Sequence, residues 1–497
     1  MNIFLMIPEA VVAALALVLL TADLWTPAEH KRQFGYLAAL VLLALVAWTF
    51  VDVIDAPRYA FFGMFVQDGL ALFFKRFFLL AGAFVMVIAV EFADRIEAGV
   101  TEFYALLLLA LSGMMFAASA NDFVLVFVAL ELITVSFYVL NSFQRSRIAS
   151  LEAGIKYLIL GALASAFLVY GIALIYGMAG TTNFGALADR AAAVADRPVF
   201  WLGLLMVIAG LGFKLAAFPF QIWAPDVYQG SPTPATAFLA VGSKAAGVVL
   251  LLRILFNAVP AGGVNWARIL LVMAGISILY GNLCAIPQRN LKRLMGYSSI
   301  AHAGYILLGI AATSLAGSSA ILYYLIGYLF SVIAAFAVIC LVMRGIEGED
   351  ISAVAGLNQR SPFLAASLAV AMISLAGIPP LAGFFGKFLI FRAVLEHGPA
   401  EAGYYVALGL ALVGVVISFY YYLGVVRAVY WSPAPVASGP IQLAAPTRAA
   451  LWICLAGMFY LGLFPNRLLN SATSSAQSLR VSNRALAIRD VAPATGR

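Results

Sequence analysis

The sequence has very few charged residues. Asp, Glu, Lys and Arg together make up only 10% of its 497 residues, whereas 64% are hydrophobic. A soluble globular domain carries roughly 25% charged residues, because water must solvate its surface. This composition cannot cover a water-exposed surface. It excludes a soluble fold and indicates that lipid surrounds most of the chain.

Cysteine and histidine are equally scarce, with three residues of each. Cys284, Cys340 and Cys454 lie far apart inside apolar segments, so their spacing gives neither a disulfide framework nor a metal site. We interpret them as small apolar packing residues. No histidine pair is available to ligate haem within a membrane. The sequence therefore predicts no metal or cofactor in this chain.

Signals for nucleic-acid or nucleotide binding are absent as well. The net charge of +7 is scattered through loops, without a basic run that has interleaved aromatics. The stretch GLGFKL lacks the third glycine of a dinucleotide fingerprint. The N-terminal run MNIFLMIPEAVVAALALVLLTADLW has no basic segment and contains Glu9. We interpret it as a retained membrane helix rather than a removed signal.

Long apolar runs recur along the whole chain. A helix crossing the hydrocarbon of a bilayer needs roughly 20 apolar residues. The sequence predicts 14 such spans, at 8–24, 35–53, 69–90, 103–119, 122–141, 154–178, 200–219, 235–256, 266–286, 294–313, 318–343, 362–391, 403–430 and 449–465. The connections are too short for a soluble domain, and the last 30 residues are predicted to form a short polar tail. The predicted fold is an all-α polytopic membrane protein.

Basic residues are distributed unequally between the two sets of loops. Loops after odd-numbered spans carry 12 Lys and Arg residues, and those after even-numbered spans carry 6, counting Arg253. Cytoplasmic loops are enriched in Lys and Arg. With an even number of spans, this bias predicts that both termini are periplasmic.

Two pairs of short stretches resemble each other at nearly the same separation. AGLGFKL (209–215) matches AGFFGKF (382–388), and YLILGALAS (157–165) matches YYLIGYLFS (323–331), with shifts of 173 and 166 residues. Five predicted spans lie in that interval, so the second copy would be inverted in the membrane. Pro219 in the first copy, and Pro379 with Pro380 in the second, predict broken helices. Inverted repeats with interrupted helices are typical of transporters.

Four ionisable residues fall inside or beside apolar runs: Glu131, Lys214, Lys244 and Lys387. Each costs about 2.5–3.5 kcal/mol or more near the centre of a bilayer. Lys214 could instead extend its stem to the headgroups, and Glu131 could form a lone structural ion pair. Lys244 is too central to reach the headgroups easily. The break beside Lys387 predicts that this lysine faces a polar cavity.

His302, in GYSSIAHAGY, is the histidine within a span. It could be a packing residue, or its ionisation near neutral pH could serve a proton relay along a polar wall. Other charges are interpreted as peripheral: Lys156 and Glu152 at the start of a span, Asp226 in a loop or cap, and Lys75 and Arg76 at the edge of the third span.

These residues favour proton movement. A buried lysine and a nearby carboxylate load and release a proton as their separation changes, so Glu131 and Lys214 could act as a pair. Two alternatives remain open: a cation/proton antiporter, and a mainly structural subunit of a membrane assembly.

The motifs resemble a known family. FKLAAFPFQIWAPDVYQGSPTPATAFLAVGSKAA and LAGIPPLAGFFGKF resemble the antiporter-like membrane subunits of complex I, the proton-pumping NADH:quinone oxidoreductase, and in particular the N type. The resemblance implies 14 helices containing two inverted five-helix repeats. Helices 1–4 would occupy residues 1–119, with helix 4 beginning the first repeat (103–256). The second repeat would be 266–430, and the last helix with its tail 449–497.

The resemblance also implies roles for residues. Glu131 and Lys214 would be partners, Lys244 the connecting lysine, Lys387 the terminal lysine and His302 a polar member of the same relay. The M type carries a glutamate at the position of Lys387, which favours the N type. Where the family often has a histidine after the seventh-helix lysine, this chain has Gln221, which cannot carry a proton.

The implied function is non-redox proton translocation coupled to quinone reduction elsewhere in the complex. FMN, iron–sulfur clusters and quinone would be bound by other subunits. The partners would be neighbouring antiporter-like and small membrane subunits, the lipid bilayer and protons, with no nucleic acid. The location would be the bacterial inner membrane.

Overall fold

The computed structural model describes residues 3–51, 56–194, 196–259, 266–344, 348–397, 401–434 and 439–491. Helices dominate it, because a segment in lipid must satisfy its own backbone hydrogen bonds. The first eleven α-helices are α1 (Ile7–Asp23), α2 (Ala28–Lys31), α3 (Gln33–Thr49), α4 (Gly69–Phe92), α5 (Val100–Ala118), α6 (Phe123–Asn141), α7 (Ile148–Ala179), α8 (Phe184–Asp189), α9 (Ala191–Val194), α10 (Pro198–Leu215) and α11 (Trp223–Gly230).

The second half continues in the same manner. Its α-helices are α12 (Thr233–Phe238), α13 (Lys244–Arg253), α14 (Trp266–Ala285), α15 (Leu291–Ala311), α16 (Leu315–Val342), α17 (Leu357–Arg360), α18 (Pro362–Ala376), α19 (Ala382–His397), α20 (Ala402–Trp431), α21 (Ala445–Leu463) and α22 (Pro465–Val491). Short 3₁₀ turns cover Ile3–Met6, Ala93–Arg95 and Ile351–Val354. The π-helical segment Leu239–Ser243 joins α12 to α13, and a second π-helical segment, Ile254–Ala258, extends α13, so that Thr233–Ala258 forms one rod.

Within the described residues, 13 helical segments are long and apolar enough to cross a membrane. The predicted spans correspond to these segments except 362–391, which the structure divides into α18 and α19. The prediction of an all-α polytopic membrane protein is confirmed.

Both predicted helix breaks are present. The first interrupts the chain after Leu215: Ala216 adopts a left-handed φ of 56°, and the Phe218–Pro219 peptide is cis. The second follows Ala376: Gly377 has a φ of 90°, and the Pro379–Pro380 peptide is cis. Glycine adopts such a φ without the steric cost that a side chain brings. Each break leaves two half-helices with backbone groups free to bind polar partners.

The helices differ greatly in how much of their surface neighbouring helices cover. In the most apolar stretch of the Thr233–Ala258 rod, 100% of the residues are buried inside the protein. The corresponding share is 94% in α15 and in α16. The long helix α7 is only 22% buried. The central helices therefore see protein on all sides, whereas α7 presents apolar side chains outward to lipid or to another chain.

A short hairpin lies between α3 and α4. Strands β1 (Arg58–Ala60) and β2 (Phe65–Gln67) pair antiparallel, with Tyr59 opposite Val66. Strands of three residues are too short to show alternation of polar and apolar residues, so the sequence did not predict them.

The C-terminal segment differs from the predicted polar tail. It forms α22, and Ala472, Ala476 and Leu479 are buried on one side of that helix. Its Ser478 hydroxyl accepts a hydrogen bond from the Leu70 backbone N–H at 3.1 Å. The helical spacing of these apolar residues creates one packed face in a segment that is polar on average.

Two charges assigned to loops or span edges are fully buried. Arg253 ends α13 and pairs with Asp68, and Lys75 lies in α4 and pairs with Glu9 at 2.7 Å. All four side chains are at most 1% exposed. The topology count that included Arg253 as a loop residue was wrong there, because an ion-pair partner lets a charge stay inside.

The second break depends on a close helix contact, which gives a test. A Cβ added at Gly383 would lie 1.7 Å from the Ser374 carbonyl oxygen. We expect Gly383→Ala to destabilise the chain by about 1–3 kcal/mol through overpacking, measured as a lower thermal unfolding midpoint in detergent. Gly409→Ala is the control, since a Cβ there meets nothing within 4 Å. Equal midpoints for the two variants would contradict this packing.

Candidate functional site

Lys214 is buried at the end of the first half-helix. It lies in the last turn of α10, and its side chain is 6% exposed. Its Nζ donates a hydrogen bond to the Thr134 hydroxyl of α6, and the Tyr157 ring centroid is 5.7 Å from Nζ. The alternative that Lys214 extends to the headgroups is wrong, because its ammonium group is held inside the helix bundle.

Glu131 lies one turn before Thr134 on α6. It is half-buried, and its Oε1 accepts a hydrogen bond from the Ser165 hydroxyl of α7 at 2.5 Å. Glu131 and Lys214 are both described, and no ion pair within 4.0 Å joins them. Glu131 and the Thr134 hydroxyl that binds Lys214 lie one turn apart on α6.

Lys214 and Lys244 lie on helices that approach each other closely. Gly247, three residues after Lys244, faces α10: a Cβ there would lie 3.2 Å from Cβ of Lys214. Next to this contact the hydroxyls of Tyr157 and Ser243 are buried and interact with each other. Polar side chains therefore lie beside the contact between the two lysine-bearing helices.

Lys244 is held by α15. Its Nζ donates to the Ser299 carbonyl oxygen at 2.5 Å and also to the Ser299 hydroxyl. Tyr228 of α11 and Tyr328 of α16 place their hydroxyls 2.9 and 3.3 Å from the same Ser299 Oγ. The Tyr328 ring centroid lies 5.4 Å from Lys244 Nζ. Four helices therefore meet around this lysine.

His302 lies one turn further along α15. Its Nδ1 contacts the Tyr324 hydroxyl, and its Nε2 is 3.0 Å from the Tyr422 hydroxyl of α20. The ring centroids of His302 and Tyr328 are 4.9 Å apart. Since Tyr328 also contacts the Lys244 site through Ser299, His302 is a polar neighbour of that site as well as a packed residue.

Lys387 binds the end of the second broken helix. It lies in α19, after the break, and its Nζ donates to the carbonyl oxygens of Leu375 and Ala376, both at 2.9 Å. These are the last residues of α18, where the helix dipole favours a cation. The Tyr305 ring centroid is 5.0 Å from Nζ and 6.1 Å from the His302 ring centroid.

Lys214, Lys244, His302 and Lys387 therefore form a buried line through the centre of the chain, with aromatic and hydroxyl side chains between neighbouring members. Sequence reasoning did not identify the residues that connect them: Thr134, Tyr157, Tyr228, Ser299, Tyr305, Tyr324, Tyr328 and Tyr422. The hydroxyl-rich stretch GYSSIAHAGY was the available signal for α15. For α16 the available signal was the stretch YYLIGYLFS, whose closely spaced tyrosines include Tyr324 and Tyr328.

The lysines of this line have neutral partners. In the part of the chain that is described, no carboxylate lies within 4.0 Å of the Nζ atoms of Lys214, Lys244 or Lys387. By contrast, Lys75 and Arg253 each contact a buried carboxylate. A buried cation without a counter-ion is costly, so three in one line indicate a function beyond stability.

A charged cluster lies beside α11, away from the line. Asp226 is in the first turn of α11 rather than in a loop, and it contacts Arg293 and, at 2.5 Å, Lys156. Lys156 also pairs with Glu152 at 2.6 Å. These side chains are between 27% and 58% exposed. They tie the half-helix to its neighbours at an accessible end of the bundle.

The described residues contain no group of three or more His, Cys, Asp or Glu side chains that could hold a metal ion. Cys284, Cys340 and Cys454 are free thiols. What the site offers chemically is a series of proton-binding groups separated by hydroxyls.

Fold and site together define an antiporter-like membrane subunit. A family model described as NADH:quinone oxidoreductase/Mrp antiporter, TM, matches residues 120–418. Curated relatives named NADH-quinone oxidoreductase subunit N align over nearly the whole chain. That of Heliobacterium modesticaldum is 39% identical over 96% of this chain and 100% of the relative. The subunit N 1 of Opitutus terrae is 42% identical over 91% and 92%. The chain belongs to the NADH-quinone oxidoreductase subunit N family.

Solved structures agree with this assignment. A chain of respiratory complex I from Thermus thermophilus with bound aureothin is 35% identical, has a TM-score of 0.79, and aligns over 94% of this chain and 99% of its own length. A chain of the Mrp complex from Dietzia is 20% identical with a TM-score of 0.81, over 96% and 99%, and shows the shared fold. The chain is a multi-pass protein of the bacterial inner membrane.

The hydroxyl at the centre of the His302 contacts can be tested directly. Tyr422→Phe removes the partner of His302 Nε2 and of the Ser298 hydroxyl. Because it leaves buried polar groups unpaired, we expect a loss of about 1–3 kcal/mol in the free energy of unfolding. Thermal unfolding in detergent measures it. Tyr420→Phe is the matched control, being 70% exposed on the same helix. A Tyr422→Phe protein as stable as the control would refute these contacts.

Proposed function

We propose that this chain is a non-redox proton-translocating membrane subunit of NADH-quinone oxidoreductase, and that protons move along the buried line. Quinone reduction elsewhere in the complex would drive the movement. The observation that carries the proposal is the set of three buried lysines without direct counter-ions. Such groups can bind and release protons, because no neighbouring carboxylate fixes their charge.

The partners of each lysine fit a relay. Lys214 and Lys244 donate to hydroxyls, which can both accept and donate a hydrogen bond. His302 contacts two tyrosine hydroxyls, one from α16 and one from α20. Protonation of one lysine disfavours protonation of its neighbour through charge repulsion. A proton that enters at one end therefore favours release at the next site.

Glu131 is proposed to set the charge of Lys214. A movement of α6 that places Glu131 instead of Thr134 beside Lys214 would favour the charged lysine. Glu131 and Thr134 are one turn apart on the same helix, so this movement is a shift of about one turn along the helix axis.

We further propose that the chain contains the two inverted five-helix repeats, at 103–256 and 266–430, with helices 1–4 in 1–119, the last helix and tail in 449–497, and both termini periplasmic. The two breaks support the repeats, though Lys214 precedes its break and Lys387 follows its own. FMN, iron–sulfur clusters and quinone would be held by other subunits. The partners would be the neighbouring membrane-arm subunits.

The central test uses Lys214→Ala and Glu131→Gln in the assembled complex. We expect about a tenfold or greater fall in protons pumped per NADH oxidised for Lys214→Ala, and a smaller fall for Glu131→Gln, because only the first removes the proton carrier. Pumping into membrane vesicles, normalised to NADH oxidation, measures both.

The control for this test is Arg392→Gln, which removes a helix charge whose side chain is 66% exposed. Normal pumping by both Lys214→Ala and Glu131→Gln would contradict the proposal. Sodium-dependent proton exchange by membranes that lack the other subunits would instead favour a cation/proton antiporter.

A second test concerns the hydroxyl that holds Lys214. Thr134→Val keeps the volume but removes the acceptor of the lysine's hydrogen bond, whereas Thr134→Ser retains it. We expect Thr134→Val to lower pumping per NADH about threefold to tenfold, and Thr134→Ser to pump like the unaltered protein. Similar pumping by the two variants would show that this hydroxyl plays no part.

A further inference from the structure

The rod that carries Lys244 contains a short α-helical segment between two wider ones. The segment α13 runs from Lys244 to Arg253, and the π-helical segments Leu239–Ser243 and Ile254–Ala258 flank it. π-Helical turns are rare and occur frequently at functional sites. Lys244 is the first residue of α13 and Arg253 is its last. Contacts that hold Arg253 therefore also set the direction in which the Lys244 side chain points from α13.

Arg253 is fixed by three hydrogen bonds. Its Nη2 and Nη1 donate to the two carboxylate oxygens of Asp68, at 2.8 and 3.1 Å, and its Nε donates to the Ala118 carbonyl oxygen at 2.7 Å. Asp68 also accepts a hydrogen bond from the Ala71 backbone N–H at 2.7 Å and so caps α4. A two-pronged Arg–carboxylate contact specifies geometry as well as charge.

Stability alone does not account for this pair. Both side chains are fully buried, and well-packed apolar residues often serve equally well or better at such positions. The pair joins α13 to the start of α4 and the end of α5. It lies nine residues from Lys244 on the same rod, and neither residue belongs to the buried line.

We propose that Asp68 and Arg253 are positioning residues for Lys244: they fix the rotation of α13 so that Lys244 Nζ remains on Ser299. This proposal rests on the proposed function of Lys244. When a π turn closes to an α turn, the register changes by one residue, which rotates the following segment by about 100°. The Arg253 contacts oppose that rotation, because they hold the far end of α13 on three acceptors.

The test is Asp68→Asn in the complete complex, with protons pumped per NADH oxidised measured from pH 6 to 9 in membrane vesicles. We expect the ratio to fall about threefold to tenfold, a size typical of coupled positions. We also expect the pH profile to shift, because Lys244 leaves the Ser299 oxygens. Arg253→Lys keeps the charge but not the two-pronged contact, and should behave like Asp68→Asn.

Two comparisons separate positioning from general damage. The double variant Glu91→Gln/Arg344→Gln removes an ion pair at the opposite end of α4, with the Glu91 side chain 2% exposed, and should leave the pH profile unchanged. In a Lys244→Ala background, Asp68→Asn should lower pumping no further, since residues acting through one another are non-additive. Normal pumping by Lys244→Ala alone would instead overturn the proposed function.

The proposal is overturned if Asp68→Asn leaves both the ratio of protons pumped per NADH and the pH profile unchanged. It is also overturned if Asp68→Asn lowers that ratio by the same factor in the Lys244→Ala background as in the unaltered protein. If Asp68→Asn does not assemble, Asp68→Asn/Arg253→Gln replaces the ion pair by two neutral amides. That variant should show the same reduced ratio and shifted profile. Normal values for both would equally overturn the proposal.

Discussion

The structure depends on keeping three lysine charges inside a protein that is surrounded by lipid. Lys214, Lys244 and Lys387 contact a hydroxyl, a hydroxyl with a carbonyl, and two carbonyls, respectively. Such acceptors stabilise an ammonium less than a carboxylate would. The broken helices, the tyrosine-rich walls and the central burial of the rod all supply polar groups where an unbroken apolar helix would offer none.

Charged residues in this chain are treated in two distinct ways. Lys75 and Arg253 each contact a buried carboxylate, which fixes their charge and makes them parts of the scaffold. The lysines of the line lack that contact, so no neighbouring carboxylate fixes their charge. The difference is one of partners rather than burial, because both sets are almost completely shielded from solvent.

Much of this could be predicted from the sequence. Apolar runs indicate spans because hydrogen bonding within a helix is the main option in lipid, and prolines with glycines mark both breaks. Lys214, Lys244 and Lys387 were recognisable because they are ionisable residues inside or beside apolar membrane spans. Arg253 was misassigned because its partner, Asp68, is 185 residues away in the chain. The tyrosines escaped notice because an aromatic residue in an apolar run is ordinarily a packing residue.

The position of Lys387 across the second helix break affects how firmly α18 and α19 are joined. Its ammonium group spans the gap between two half-helices, binding the carbonyls of Leu375 and Ala376 from the far side of the break. A charged Lys387 amine links α18 to α19 through these hydrogen bonds and through its attraction to the helix dipole. A neutral amine has one hydrogen fewer and lacks that attraction, so it links the two helices more weakly. Under the proposed function, loss of a proton from Lys387 would therefore weaken the contact that joins α18 to α19.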